Sequence, residues 1–281
     1  MQILYLQSLQ SKRDIGKKTM NNKLKNLNFS LFCVEKNIEL YVQSYWQVKC
    51  TLEKAVEYLL APDGAMGLII NLGDSITIKT EKKIYDLKMG EILLLGIHEH
   101  AVSMVLEKNC NLLGIRFNPA GAFCFFKNNY SNLYQNNILI EENSLYKRLR
   151  NENESIEEVF NSYLLSLFKE DSKIEAFVVM LKKIEEDKGI IEIKELSSIL
   201  NISRRSIDRL FKKYLGISAN IYLRIIKIKY SREELRNISF DTLTNVGYNN
   251  GYFDQSHFIR EFKTFMQKSP KQYVKEKKTL S

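Results

Sequence analysis

Residues 245–273 read NVGYNNGYFDQSHFIREFKTFMQKSPKQY, and residues 196–218 read LSSILNISRRSIDRLFKKYLGIS. The second passage is an earlier copy of the first. Val246, Gly247, Gly251 and Tyr252 follow Leu196, Ser197, Asn201 and Ile202 at an offset of 50, whereas Phe258, Arg260, Phe262, Ser269 and Tyr273 follow Ile207, Arg209, Phe211, Ser218 and Tyr222 at an offset of 51. The later copy therefore carries one extra residue just after its turn.

Helix geometry explains which positions recur. Two helices crossing at roughly 90 to 120° over a short turn need a small residue at the crossing, the place of Ser197 and Gly247. Four residues on, the turn needs a left-handed backbone, which Gly adopts freely and Asn tolerates; Asn201 and Gly251 stand there. Ile207, Leu210, Phe211 and Tyr214 then draw an apolar stripe along one helix, with Arg204, Arg205, Asp208, Arg209, Lys212 and Lys213 opposite. In the later copy Phe258, Phe262 and Phe265 form the stripe. Asp254, Gln255, Ser256, His257, Arg260 and Lys263 are left outward. Such side chains hydrogen-bond base edges and phosphates.

Charge separates a DNA reader from a solvated helical bundle. From residue 188 to the end there are 19 Lys and Arg against 9 Asp and Glu, a net +10 in a chain whose total is +9. Positive charge confined to the repeated region is the footprint of a polyanion-binding module. A membrane surface is excluded as its partner because the apolar stripes are committed to two small cores.

These residues resemble the DNA-binding domain of AraC-type transcriptional regulators (the AraC/XylS family), most specifically through the run from Gly251 to Phe258 with Arg260, Phe262, Lys263, Ser269, Pro270 and Tyr273. The resemblance covers roughly residues 172–277. It implies seven helices: a leading helix near 174–187, two helix-turn-helix pairs, a connector from about 219 to 235 and a closing helix after Pro270. Local signals agree: Ser172 with Glu175 reads as a capping box, Gly189 as a helix stop, and Ser218 as a cap. Carried over position by position, the resemblance implies base contacts at Ser203, Arg205, Asp208, Arg209, Asp254, Gln255, Ser256, His257 and Arg260. Phosphate contacts are expected at Arg204, Lys212, Lys213 and Lys263. This chain departs from the pattern at Ser197, Asn201, Lys227, Ser231 and Gln267, where the family commonly has Ala, Gly, Arg, Ala and Gly.

The first half is of another kind. Apolar runs at 67–72, 75–79, 83–87, 91–95, 101–106 and 112–117, broken by Gly73-Asp74, Met89-Gly90 and Lys108-Asn109, predict a small antiparallel sheet or barrel. Helical periodicity resumes near Glu154, with Ser155 and Glu158 as a capping box. The expected organisation is a loose or partly helical extension over 1–34, in which Met20 is a candidate start, a β-rich sensor or dimerisation domain over 35–150, a helical linker over 151–171 and the reader over 172–281. YWQV (45–48), APDGAMGLIINL (61–72) and GIRFNPAGAFCFF (114–126) resemble the β-rich, cupin-like amino-terminal domain of one AraC-regulator subgroup. Tyr45, Trp46, Arg116 and Phe117 are candidates to line a ligand pocket there, although Trp46 and Phe117 are expected to fill the core.

Other chemistry is sparse. His98 and His100 resemble the His-x-His pair of metal-binding cupin enzymes, but Glu107 lies at the wrong spacing and the remaining histidine, His257, is in the other half. A loop pair is expected, with no metal and no cofactor. Cys33, Cys50, Cys110 and Cys124 are scattered, as reduced cytoplasmic thiols are. No phosphate-cradling glycine loop, membrane-length apolar run or signal-peptide core is present.

The expected class is α+β in two domains. Its expected function is a one-component transcription regulator, more often an activator in this family, with double-stranded DNA as partner. A small-molecule effector, a second copy of the chain and, for an activator, RNA polymerase are further expected partners. The alternatives are a metal-dependent cupin-like enzyme localised by a basic domain, and a DNA binder that has no effector.

Overall fold

The computed structural model describes residues 20–21, 27–126, 133–236 and 243–280. Within them the strands are β1 (Met20–Asn21), β2 (Leu27–Phe32), β3 (Val42–Thr51), β4 (Val56–Leu60), β5 (Gly67–Asn71), β6 (Ile76–Lys79), β7 (Ile84–Leu87), β8 (Ile92–Leu95), β9 (Val102–Leu106), β10 (Asn109–Phe117) and β11 (Asn137–Ile140). They pair antiparallel into a larger sheet, β1-β2-β3-β10-β5-β8-β11, and a smaller one, β4-β9-β6-β7.

The larger sheet is buried on both faces. Ile69, Leu93 and Leu112 face the smaller sheet, where Ile78, Leu87 and Met104 meet them; Leu68, Ile70 and Leu113 face the helices. Neighbouring residues thus enter different cores, which is why these strands read as continuous apolar runs rather than alternating ones. Asn71 closes the β5 end from inside: its amide donates to the Leu87 and Asp74 carbonyls at 2.8 and 2.9 Å and its oxygen accepts from Gly73 N.

Strands β5 to β10 lie where the apolar runs predicted them. Strand β3 has no clean period of two, because its register against β10 shifts between Arg116 and Phe117, opposite Ser44 and Val42, and Gln43 is passed over as a bulge. The extension expected over 1–34 needs correction: residues 27–32 form β2, with Phe29 buried opposite Val48. Residues 1–19 and 22–26 lie outside the described residues. The cysteines are less scattered than the sequence suggests, since Cys50 and Cys110 are direct cross-strand neighbours.

The described helices are α1 (Asn143–Leu149), α2 (Ile156–Leu167), α3 (Ile174–Glu186), α4 (Ile193–Leu200), α5 (Arg204–Leu215), α6 (Ala219–Glu234), α7 (Leu243–Asn249), α8 (Gln255–Met266) and α9 (Pro270–Leu280). None is long and apolar enough to cross a membrane. The Ser155 capping box forms: its hydroxyl accepts from Glu158 N, and the Glu158 carboxylate accepts from Ser155 N at 2.9 Å. Ser172 and Glu175 do not form theirs. Lys173 occupies the cap of α3, and Asp171, an anionic acceptor one residue earlier, takes the Lys173 N–H at 3.0 Å instead. Helix α2 lies on the larger sheet, where the Tyr45 hydroxyl donates to Asn161 Oδ1 at 2.5 Å and the Tyr45 ring lies 5.0 Å from that of Phe160. One core runs without a break from Ile38 in the β domain to Val274 in α9.

Candidate nucleic-acid interface

Both helix-turn-helix units form with matched local geometry. Asn201 (φ 50°) and Gly251 (φ 72°) hold the left-handed turn residue. The next residue then closes back on the small crossing residue: Ile202 N donates to Ser197 O at 3.2 Å, and Tyr252 N to Gly247 O at 3.0 Å. At Gly247 a Cβ would lie 3.3 Å from Phe258, so the crossing has no spare room.

Each reading helix starts on a side-chain cap. Ser203 accepts from Ser206 N at 3.2 Å to begin α5, and Asp254 accepts from His257 N at 2.7 Å to begin α8. The extra residue of the later copy is therefore Phe253, inserted between buried Tyr252 and the Asp254 cap. Ile207, Phe211 and Tyr214 of α5 and Phe258, Phe262 and Phe265 of α8 are buried. Helix α6, 16 residues and so roughly 24 Å long, packs against both reading helices.

The outward faces keep most of the predicted contacts free. Arg204, Arg205, Arg209 and Lys212 on α5 are exposed and form no side-chain hydrogen bond or ion pair among the described residues, and the same holds for Gln255, Ser256, Arg260 and Lys263 on α8. His257 is also exposed, its ring edge-on to Tyr252 at 5.5 Å.

Other candidates are occupied elsewhere. Asp208 turns back to accept from Ala219 N at 3.2 Å, capping α6 together with Ser218. Lys213 pairs with Asp171 at 2.8 Å, donates to the Tyr214 hydroxyl and lies over the Phe123 ring. That lysine holds the Asp171 carboxyl below the usual carboxylate range. Glu261, next to Arg260, binds Arg224 of α6 at 2.5 Å and leaves Arg260 outward.

The β domain touches both units. Phe123 meets Tyr214 of α5 edge-on at 4.9 Å. The loop between β8 and β9 docks on the end of α8: Ala101 N donates to Phe265 O at 2.8 Å, His100 Nδ1 lies 2.9 Å from Thr264 O, and Glu99 reaches Arg224 at 3.2 Å. On α6, Tyr222 packs against Gly64, where a Cβ would stand 2.6 Å from the ring. His98 and His100 thus separate, His98 bonding Asn137 at 2.8 Å. No group of three or more His, Cys, Asp and Glu of metal-binding geometry occurs among the described residues.

Of the four pocket candidates, Arg116 lines a cavity. Tyr45 and Phe117 lie wholly inside the core, and Trp46 covers Gly114 from the other face of β3. The cavity is a cleft of about 980 Å³ between the domains, lined by Gln43, Asp63 and Arg116 on the sheet side and Glu185, Lys229 and Glu233 on α3 and α6. Arg116 pairs there with Asp63, and Lys229 with Glu185 at 2.8 Å. Burial holds the Glu233 carboxyl above its ordinary range. These pairs join residues far apart in sequence, and nothing in the local pattern marks them.

Comparison with known proteins follows the same division. A helix-turn-helix domain family matches residues 196–276, and a domain of unknown function, DUF6597, matches residues 35–139. An uncharacterized HTH-type transcriptional regulator of Staphylococcus aureus is 28% identical over 83 residues, 30% of this chain and 11% of its own length. The Msm operon regulatory protein of Streptococcus mutans is 28% identical over 115 residues, 40% of this chain and 41% of its own. The chain thus matches less than half the length of either relative. Among solved structures, ToxT from Vibrio cholerae superposes over 83% of this chain and 98% of its own with a TM-score of 0.51 at 15% identity, a likeness of fold.

Proposed function

We propose that this chain, whose carboxy-terminal region is an AraC-type double helix-turn-helix behind a β-rich domain, is a sequence-specific transcription regulator reading two successive major-groove segments with α5 and α8. One observation carries the reading. The two duplicated units bury equivalent faces and leave free, outward Arg, Lys, Gln, Ser and His side chains on the other. Arg205 and Gln255, early on their helices, are the principal base readers, suited to guanine and adenine. Arg204, Lys212 and Lys263 serve phosphates, and Arg209, Ser256, His257 and Arg260 supply further contacts. Ser203 and Asp254 act first as caps.

The interdomain cleft is the effector site. A small charged molecule entering between Arg116–Asp63 and Lys229–Glu185 acts on α6, which packs on both reading helices. A second copy of the chain docks through α2 and α3, where Leu165 and Val179 are exposed, and RNA polymerase is the further partner if the protein activates. Acting on promoter DNA, it is a cytoplasmic protein on this reading. The enzyme reading has no specific observation in its favour.

Selection of bound sequences from a random DNA pool by the full chain, at two salt concentrations, tests this. The expected result is a motif of two blocks about one helical turn apart, with affinity falling steeply in salt. A pool that stays random, with and without added metabolite extracts, overturns the reading.

A further inference from the structure

Phe253 is the most exposed large apolar side chain among the described residues, at 86%. Its neighbours hold it outward. Tyr252 before it is buried at 3% and Asp254 after it is fixed as the cap of α8, so the ring has no inward path. It stands beside the free first turn of the reading helix, where Gln255, Ser256 and His257 are also exposed. The first unit has no counterpart, since Phe253 is the one-residue insertion that shifts the repeat from 50 to 51.

A phenyl ring offers no hydrogen bond, and in a major groove the one apolar feature of a base edge is the C5 methyl of thymine. Resting on the reading above, we propose that Phe253 is a specificity-determining residue of the second unit: its ring packs on a thymine methyl at the edge of the block read by α8. The polar first turn around it favours DNA over an apolar protein partner. The first unit, lacking the ring, shows no such methyl dependence.

The test uses the selected operator with deoxyuridine replacing thymine at each position of the second block, which removes the methyl and nothing else. Wild-type affinity is expected to fall about four-fold at one position, the worth of one buried methyl group. Phe253→Ala is expected to be indifferent to that replacement, and Phe253→Leu to keep part of the preference. The position is exposed, so the substitution leaves the fold intact, and circular dichroism checks it. Uridine tolerated throughout the block, with Phe253→Ala selecting an unchanged motif, overturns the proposal and leaves the bipartite reading standing. Unchanged DNA binding with lost promoter output in Phe253→Ala overturns it in favour of a protein contact. A wild-type chain that selects no motif overturns both.

Discussion

The two helix-turn-helix units are built to one plan and finished differently. The first turns on Asn201, begins its reading helix on Ser203 and presents three free arginines, Arg204, Arg205 and Arg209. The second turns on Gly251, begins on Asp254, inserts Phe253 and presents Gln255, Ser256 and His257. The two units share the small crossing residue, the left-handed turn and the apolar stripe, because those set whether the unit folds. The outward faces differ, and on the proposed function they set what is read. The units also differ in attachment: the first meets the β domain through Tyr214 and Lys213, the second through a bonded loop and the Glu99–Arg224–Glu261 chain.

Structural equivalence of the units is tested most severely in their cores. Phe211→Ala and Phe262→Ala each remove a fully buried ring from matching positions and are expected to cost about 3–5 kcal/mol, nearly equally, in denaturant unfolding. A cost in one copy several times that in the other breaks the equivalence. Difference in reading comes next. Arg205→Ala and Gln255→Ala are expected to lose about 1–3 kcal/mol on the operator, each at one base position and in separate blocks, whereas Lys212→Ala weakens all sequences alike and lowers the salt slope by about one. Equal losses on operator and random DNA for all three refute that division.

Smaller effects sharpen the contrast in the turns. Gly251→Ala places a Cβ on a left-handed residue and within 3.1 Å of Ile190, with an expected loss of about 1–2 kcal/mol in thermal unfolding; Asn201→Gly relieves the same conformation in the first unit and is expected to be neutral or stabilising by less than about 1 kcal/mol. Smallest is the attachment: a double-mutant cycle on Glu99→Gln and Arg224→Gln is expected to read about 0.5–1 kcal/mol, since the arginine is 41% exposed and solvent screens the pair.

The reader was legible because its signals are local and occur twice; Ser218, Gly189, Asn201 and Gly251 all do what their spacing predicts. Strands β5 to β10 were legible from apolar runs between turns. Strand β3 was not, because the bulge at Gln43 breaks its period. On the reading face, helical position alone put Asp208 and Lys213 toward DNA. The structure turns Asp208 onto the start of α6 and Lys213 onto Asp171, partners set by the meeting of helices rather than by spacing. The pocket candidates divide similarly: Arg116 lines the cleft, whereas Tyr45 and Phe117 lie in the core. Tyr45 and Arg116 stand on opposite faces of the same sheet, and the cleft needs residues of α3 and α6.

The contact of Gly64 with Tyr222 bears on how this protein can be taken apart. A chimera that joins the reader to another sensor at residue 172 strips the cover from Tyr214 and Tyr222, both fully buried in the whole chain. The replacement sensor must bring a glycine-bearing turn and an aromatic ring to the same two places, or the graft carries a sticky apolar wound into solution. Exchange of parts in this molecule therefore proceeds along the shape of a surface, and the position of the cut in the chain matters less.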